Sequence, residues 1–247
     1  MATVKEIYDF INKIAPYELQ ENYDNSGINV EMSQGEIKKA FIALDVTNEI
    51  IEEISKAQGE LVITHHPVIF RGLKTLEENN PAVNLCRKGI SAISAHTNFD
   101  VAVMNKILCE KLGLEPAGTI EGEIGCICET EEIPAEKLAE KIKSALGEKV
   151  VRFNDTGKKL KKIAVCSGSG GSLLPDVIKS GCDGFITGDV KHDVFVDAHN
   201  NGICIFDAGH FHTENIFCEY MKEILENNFP QTEFVIAENN KDLLSYI

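Results

Sequence analysis

No stretch of the chain approaches the ~18 consecutive apolar residues that a membrane-spanning helix requires, so no membrane span is expected. Basic residues are scarce: 24 Lys and Arg stand against 39 Asp and Glu, a formal net charge of −15. A duplex needs a basic face to displace its counterions, and this balance argues against nucleic acid as a partner. With only 7 Pro and 19 Gly in 247 residues, 43% of them hydrophobic, collagen-like, low-complexity and disordered architectures are excluded. A disulfide framework is also lacking. The 8 Cys sit singly inside apolar runs, apart from Cys126 and Cys128 in GEIGCICE. Alternation reads that segment as a strand, and no second pair completes a zinc site. The opening MATVKEIYDFINKI mixes charge into a helical pattern instead of the apolar core of a signal peptide. Reduced thiols in a cytoplasmic protein are the expectation. No G-x-S-x-G is present and no Cys stands beside a His in the motifs below, so nucleophilic catalysis has no foothold.

What the chain does contain is strand–helix alternation. At ~150 residues per domain, its length allows one or two domains. The pattern Val4–Ile14 is helical and ends before Pro16, and YDNSG (residues 23–27) is a polar loop. KKAFIALDV reads as a buried strand, followed by Thr47 as a helix cap and by NEIIEEISKAQ as an amphipathic helix stopped at Gly59. ELVITHH and GISAISAH are further strands separated by a helix through NPAVNLCRKG, and residues 100–112 read as a helix. The second half repeats this order from KKIAVCSGSGG to NIFCEYMKEILENN. An α/β layered architecture with largely parallel sheets follows.

Laid together, the two halves align motif by motif. IALDV falls over IAVCS, VITHH over FITGD, and GISAISAHTNFD over GICIFDAGHFHTE. The offset of ~120 residues is far longer than a solenoid repeat. We therefore expect two similar, pseudo-symmetric α/β domains with a metal site in the cleft between them. The first half spans 1–120 and the second 121–229, with 230–247 packing back on the first.

The matched polar residues lie at the carboxyl ends of strands, where open α/β sheets bind ligands. His65 and His66 follow LVIT; leaving an extended segment, they are expected to point to opposite sides. A His separated from a carboxylate by three residues occurs twice, as His96 with Asp100 and His210 with Glu214. Histidine plus carboxylate without matched thiolate favours Zn, Mn, Fe, Co or Ni. A carboxylate bridging two ions, each also holding a His, is the dinuclear arrangement, with ions ~3.5–4 Å apart. Asp45 either orients a ligand or caps the following helix. Gly168–Ser172 is either a phosphate-cradling turn or simply a tight one, and it matches neither the Walker nor the dinucleotide pattern. His199 reads as a surface or cap residue, and His192, followed by Asp193, stands near the site mouth.

The strings THHPVIF, SAHTNFD, ITGDVKHD and DAGHFHTE, in this order over essentially the whole chain, resemble a dinuclear-metal family. Its members are known as GTP cyclohydrolase I type 2 homologs, or NGG-interacting-factor-three-like proteins. YDNSG resembles that family's WDN-G motif with Tyr for Trp. The resemblance implies that His65, Asp100 and a bridging Glu214 hold one ion, and that His66, His210 and Glu214 hold the other. His96 then sits close by as a supporting group or proton shuttle. The pair His192–Asp193 departs from the family's two His, and 247 residues leave no room for the domain that longer relatives insert. A toroidal homohexamer is also implied. Such a site suits hydrolysis of a purine ring, phosphoester or amide in a small-molecule substrate. The alternative is a non-catalytic metal-binding ring that acts as a scaffold or regulator.

Overall fold

The computed structural model describes residues 1–120 and 124–247 and resolves them into two compact units. The first comprises Met1–Ala102 and Phe217–Lys241, and the second Val103–Ile216 and Asp242–Ile247. The architecture is mixed α/β in both.

In the first unit, strands Glu233–Ile236, Lys39–Ala43, Leu61–Thr64 and Ser91–Ser94 lie side by side and parallel. Gly27–Val30 closes the far edge antiparallel to Ser91–Ser94. Alternation along each strand supplies both faces of the sheet. Phe41, Ala43, Val62 and Ala92 pack with Ile50, Ile51 and Ile54 of the helix Asn48–Lys56 and with Leu85 of the helix Pro81–Lys88. Ile42, Ile63 and Ile93, aligned across three strands, fill the opposite face and are fully buried. Thr47 caps its helix as expected, its hydroxyl accepting from the Ile50 amide. The first strand ends at Ala43, before Asp45, because the Leu44 amide turns away to donate to Asn240 Oδ1.

The second unit repeats the central motif. Lys159–Val165, Gly184–Thr187 and Cys204–Asp207 run parallel in adjacent positions. Antiparallel strands flank them: Cys126–Pro134, then Glu115–Thr119, on one side and Arg152–Phe153 on the other. Ile163 and Val165 face one core with Leu138, Ile142 and Phe206, while Ala164 and Cys166 face another with Val177, Phe185 and Ile205. The C-x-C of Cys126 and Cys128 does form strand. Leu108, Cys109 and Leu112 join the second unit's core, which carries its start back to Val103. The helix expected over 100–112 opens as a π-helical turn, Asp100–Met104, before becoming α-helical at Asn105–Lys111. Such turns inside helices are commonly found at functional sites. No helix among the described residues is long and apolar enough to cross a membrane.

Candidate metal centre

The first unit gathers its histidines where three strands end. His65 and His66 do not diverge as an extended segment would make them. The strand stops at Thr64, whose hydroxyl donates to the His66 carbonyl at 2.8 Å, while the His66 amide donates to Leu44 O at 3.0 Å. This turn brings the two rings to 5.0 Å, and His96 stands 5.1 Å from His65 and 5.4 Å from His66. One ligating atom from each of the three lies within 4.8 Å of the others.

Each ring is held by its Nδ1. His65, fully buried, has Nδ1 2.8 Å from Ala95 O, and since a carbonyl only accepts, that nitrogen carries the proton. In the neutral ring its Nε2 then carries the lone pair, 3.6 Å from Asp100 Oδ1. In that state two electron-rich atoms face each other, an arrangement that a proton or a metal cation resolves. His66 Nδ1 meets Asp45 Oδ1 at 2.8 Å, so Asp45 orients His66 and leaves the helix cap to Thr47. His96 Nδ1 meets Asp24 Oδ1 at 2.8 Å. Asp24 also accepts from the Thr97 amide and hydroxyl and from Ser26 Oγ. Burial alone would raise its carboxyl, but the hydrogen bonds from His96 and Thr97 outweigh burial and hold it well below the usual carboxylate range. Carboxylates placed this way fix the tautomer and aim of a metal-binding imidazole.

The second unit has His210 and Glu214 one helical turn apart in His210–Glu214, after the third strand of its parallel trio. His210 Nε2 is 3.0 Å from Glu214 Oε2, and its Nδ1 is 2.8 Å from Asp189 Oδ2. Asp189 adopts φ 50°, unusual for a residue other than glycine. Glu214 is only 5% exposed at its side chain, and burying a carboxylate is costly without compensation. Gly168 makes the space for it: a Cβ at this residue, whose φ is +59°, would stand 2.0 Å from Glu214 Oε1. The Gly168–Ser172 turn is spoken for. Gly168 N and Gly170 N donate to Thr213 Oγ1 and Thr187 Oγ1, and Gly168 O accepts from Gly188 N. His192 and Asp193 begin the helix His192–Asn200 and are exposed, as is His199 in its last turn.

Sequence reasoning singled out His65, His66, His96, Asp100, His210 and Glu214 as candidates but passed over Asp24 and Asp189, which orient His96 and His210. The available signals were an acid in the YDNSG loop and an acid directly after a strand-ending Thr–Gly.

The family described as Duf34/NIF3 (NGG1p interacting factor 3) matches residues 2–242. A Campylobacter jejuni protein named GTP cyclohydrolase 1 type 2 homolog is 35% identical, over 96% of this chain and 97% of its own. A Helicobacter pylori protein named GTP cyclohydrolase 1 type 2 is 36% identical over the full length of both. Among solved structures, a Staphylococcus aureus hypothetical protein, SA1388, superposes with a TM-score of 0.88 at 26% identity, covering 99% of each chain.

Proposed function

We propose, given that the chain belongs to the Duf34/NIF3 (NGG1p interacting factor 3) family, that it is a metal-dependent hydrolase of a small molecule, built on a dinuclear divalent centre. His65, Asp100 and Glu214 would hold one ion and His66, His210 and Glu214 the other, with Glu214 common to both sets. The observation that carries this reading is a His–carboxylate contact beyond the strand ends of each unit, His65 Nε2 standing 3.6 Å from Asp100 Oδ1 and His210 Nε2 3.0 Å from Glu214 Oε2. A nitrogen and oxygen donor set without thiolate fits Zn, Mn, Fe, Co or Ni. Ions of this class, if bound there, would supply Lewis acidity: activation of water near neutral pH and compensation of negative charge that develops on a substrate.

The chain's own residues do the rest. Asp24 keeps the His96 proton on Nδ1 and its lone pair on Nε2, so His96 can accept a proton beside the donor group and pass it on. Tyr23 and Phe70, both exposed, stand 6.3 Å apart, and Phe70 lies 5.9 Å from His96. That aromatic rim suits a planar heterocycle. The names of the Campylobacter and Helicobacter relatives point to a guanine nucleotide as the first substrate to try.

The rival reading is a metal-binding scaffold without turnover, in which the acidic surface and a toroidal homohexamer serve partner binding. Native mass spectrometry tests the assembly. A reducing, cytoplasmic setting accords with eight free thiols. The deciding experiment counts metal in the purified protein, strips it, reloads each ion, and assays GTP, other nucleotides, phosphoesters and amides. Turnover that follows metal loading and vanishes in Glu214→Gln supports the hydrolase; metal binding with no turnover on any substrate supports the scaffold.

A further inference from the structure

A second cluster of ligating groups lies within the second unit and uses none of the residues assigned above. Glu148, directly after the helix Ala135–Leu146 and its terminating Gly147, is buried, its side chain 1% exposed. Its Oε2 accepts from the Lys149 and Val150 amides. Its Oε1 has no hydrogen-bond partner and points at His212 Nδ1, 3.0 Å away, which is also buried and has none. The two form an ion pair only if His212 is protonated, and no hydrogen bond joins them. A carboxylate oxygen of Asp242 completes the group, all three ligating atoms lying within 4.8 Å of one another. Gly209 is shaped around it, for a Cβ there would stand 2.3 Å from Glu148 Oε1.

Two buried polar atoms that face each other without a hydrogen bond normally cost both their hydration. A cation placed between them removes that cost. Donors bound at about 2.1 Å and standing 3.0 Å apart subtend roughly 90° at the ion, within the range of ordinary coordination geometry. Two carboxylates and one imidazole carry a charge that balances a dication. The mixture of oxygen and nitrogen selects the borderline class: Zn, Co, Mn, Ni or Fe. No Lys or Arg ion pair reaches Glu148 among the described residues: Lys149 Nζ lies over the Tyr246 ring, and Arg152 is engaged with Asp207.

We propose that Glu148, His212 and Asp242 form a mononuclear divalent-cation site, separate from the dinuclear centre, that clips the segment Asp242–Ile247 onto the second unit. The clip follows from chain order: Asp242 is the first residue of that segment, and its Oδ1 also accepts from the Leu244 amide. An ion on Asp242 fixes the start of a stretch otherwise exposed to solvent.

The test uses the full-length protein, dialysed against Zn(II) or Co(II) and analysed for metal per chain. Asp242→Ala, at a partly exposed position, and His212→Ala should each lose one ion relative to the parent with circular dichroism unchanged. Glu148→Gln adds a third variant if it folds. In a Glu214→Gln background, one ion should remain and should disappear with Asp242→Ala. The origin of a lost ion is thus traceable: it follows Glu214 at the dinuclear centre and Asp242 at this one. A serine carboxypeptidase, which chelators leave active, should release residues from the segment several-fold faster after chelation of the parent, and equally fast in Asp242→Ala with or without metal. Unchanged metal counts in both Asp242→Ala and His212→Ala would overturn the proposal, as would release from the parent that is indifferent to metal.

Discussion

The two units share a parallel strand trio and a His–carboxylate pair after its last strand, yet they equip the end of the middle strand differently. In the first unit that strand runs into His65–His66; in the second it runs into Gly188–Asp189. By the internal match, His66 and Asp189 occupy equivalent positions. One is a histidine held by Asp45, and the other is the carboxylate that holds His210. The first unit thus spends its strand ends on nitrogen donors, with acids from neighbouring loops aiming them. The second spends them on glycines and one acid, which make room for and orient a single His and a buried Glu. Topology was kept while the chemistry moved between turn residues, as expected when function is grafted onto a fold.

The largest test of this division is the loss of Glu214. A histidine serves one ion through one nitrogen, whereas a bridging carboxylate contacts both ions and offsets their repulsion. Glu214→Gln keeps the shape, removes the charge, and should empty both positions of the dinuclear centre. His65→Ala and Asp100→Asn should each empty mainly one position, and resemble one another. Elemental analysis of the three variants decides it, and two ions retained in Glu214→Gln would exclude the bridge.

Gly168 sharpens the contrast, because no glycine plays its part in the first unit, where Thr47 stands at the matching position. Gly168→Ala places a Cβ against Glu214 Oε1 and forces an L side chain to φ +59°. The metal count should fall as in Glu214→Gln, and stability should drop by about 1 kcal/mol from the backbone alone. Gly171→Ala is the control, since its Cβ would meet only Val194 at an ordinary 3.7 Å. A urea midpoint and a metal assay on both variants separate the two effects.

The orienting acids should have smaller effects. Asp24→Asn, Asp45→Asn and Asp189→Asn each leave the ligands in place but loosen the aim of one imidazole. Groups in that position typically contribute 10–100-fold to metal affinity or activity. Asp45→Asn and Asp189→Asn are expected to weaken binding by about that factor. Asp24→Asn, acting on His96, should lower turnover more than metal affinity. Competition with a chelator of known affinity reads the first pair, and initial rates the third. Equal loss of affinity in all three would make His96 a ligand.

The strand–helix order, the duplicated trio, Thr47 as a cap and the candidate histidines and carboxylates were legible because each is written locally, in hydrophobic period and residue type. The convergence of His65 and His66 was not, since alternation holds only while the strand lasts, and it ends one residue earlier at Thr64. The pairing of Asp24 with His96 joins positions 72 residues apart, and nothing in the local pattern of YDNSG announces its partner. Gly168 read equally well as a turn or a phosphate cradle because its purpose is a clearance, visible only once Glu214 is in place. Glu148 followed a helix stop like any surface acid, and its burial depends on Gly209, more than fifty residues later in the chain.

The smallest expected effects concern the thiols, which also divide unevenly. The second unit holds Cys109, Cys126, Cys128, Cys166, Cys182 and Cys204, all buried, whereas the first holds the exposed Cys86 and the buried Cys218. Native alkylation at pH 8 should therefore mark one residue, Cys86, and that signal should vanish in Cys86→Ser; the remaining seven should react only in denaturant. Rapid modification of a second-unit cysteine would show that this sheet opens more readily than its packing implies. Burial pushes the Cys218 thiol up to about 12, against the donated hydrogen bond of Asn240. The unfolded chain ionises that thiol from its ordinary value of 9.0, so the native state binds more protons across the interval and stability falls as pH rises from 9 toward 12. One unit into that window the loss from this group is about 1.4 kcal/mol. Urea unfolding at pH 8 and pH 10 should show a steeper decline in the parent than in Cys218→Ala, and parallel declines would place the ionisation elsewhere.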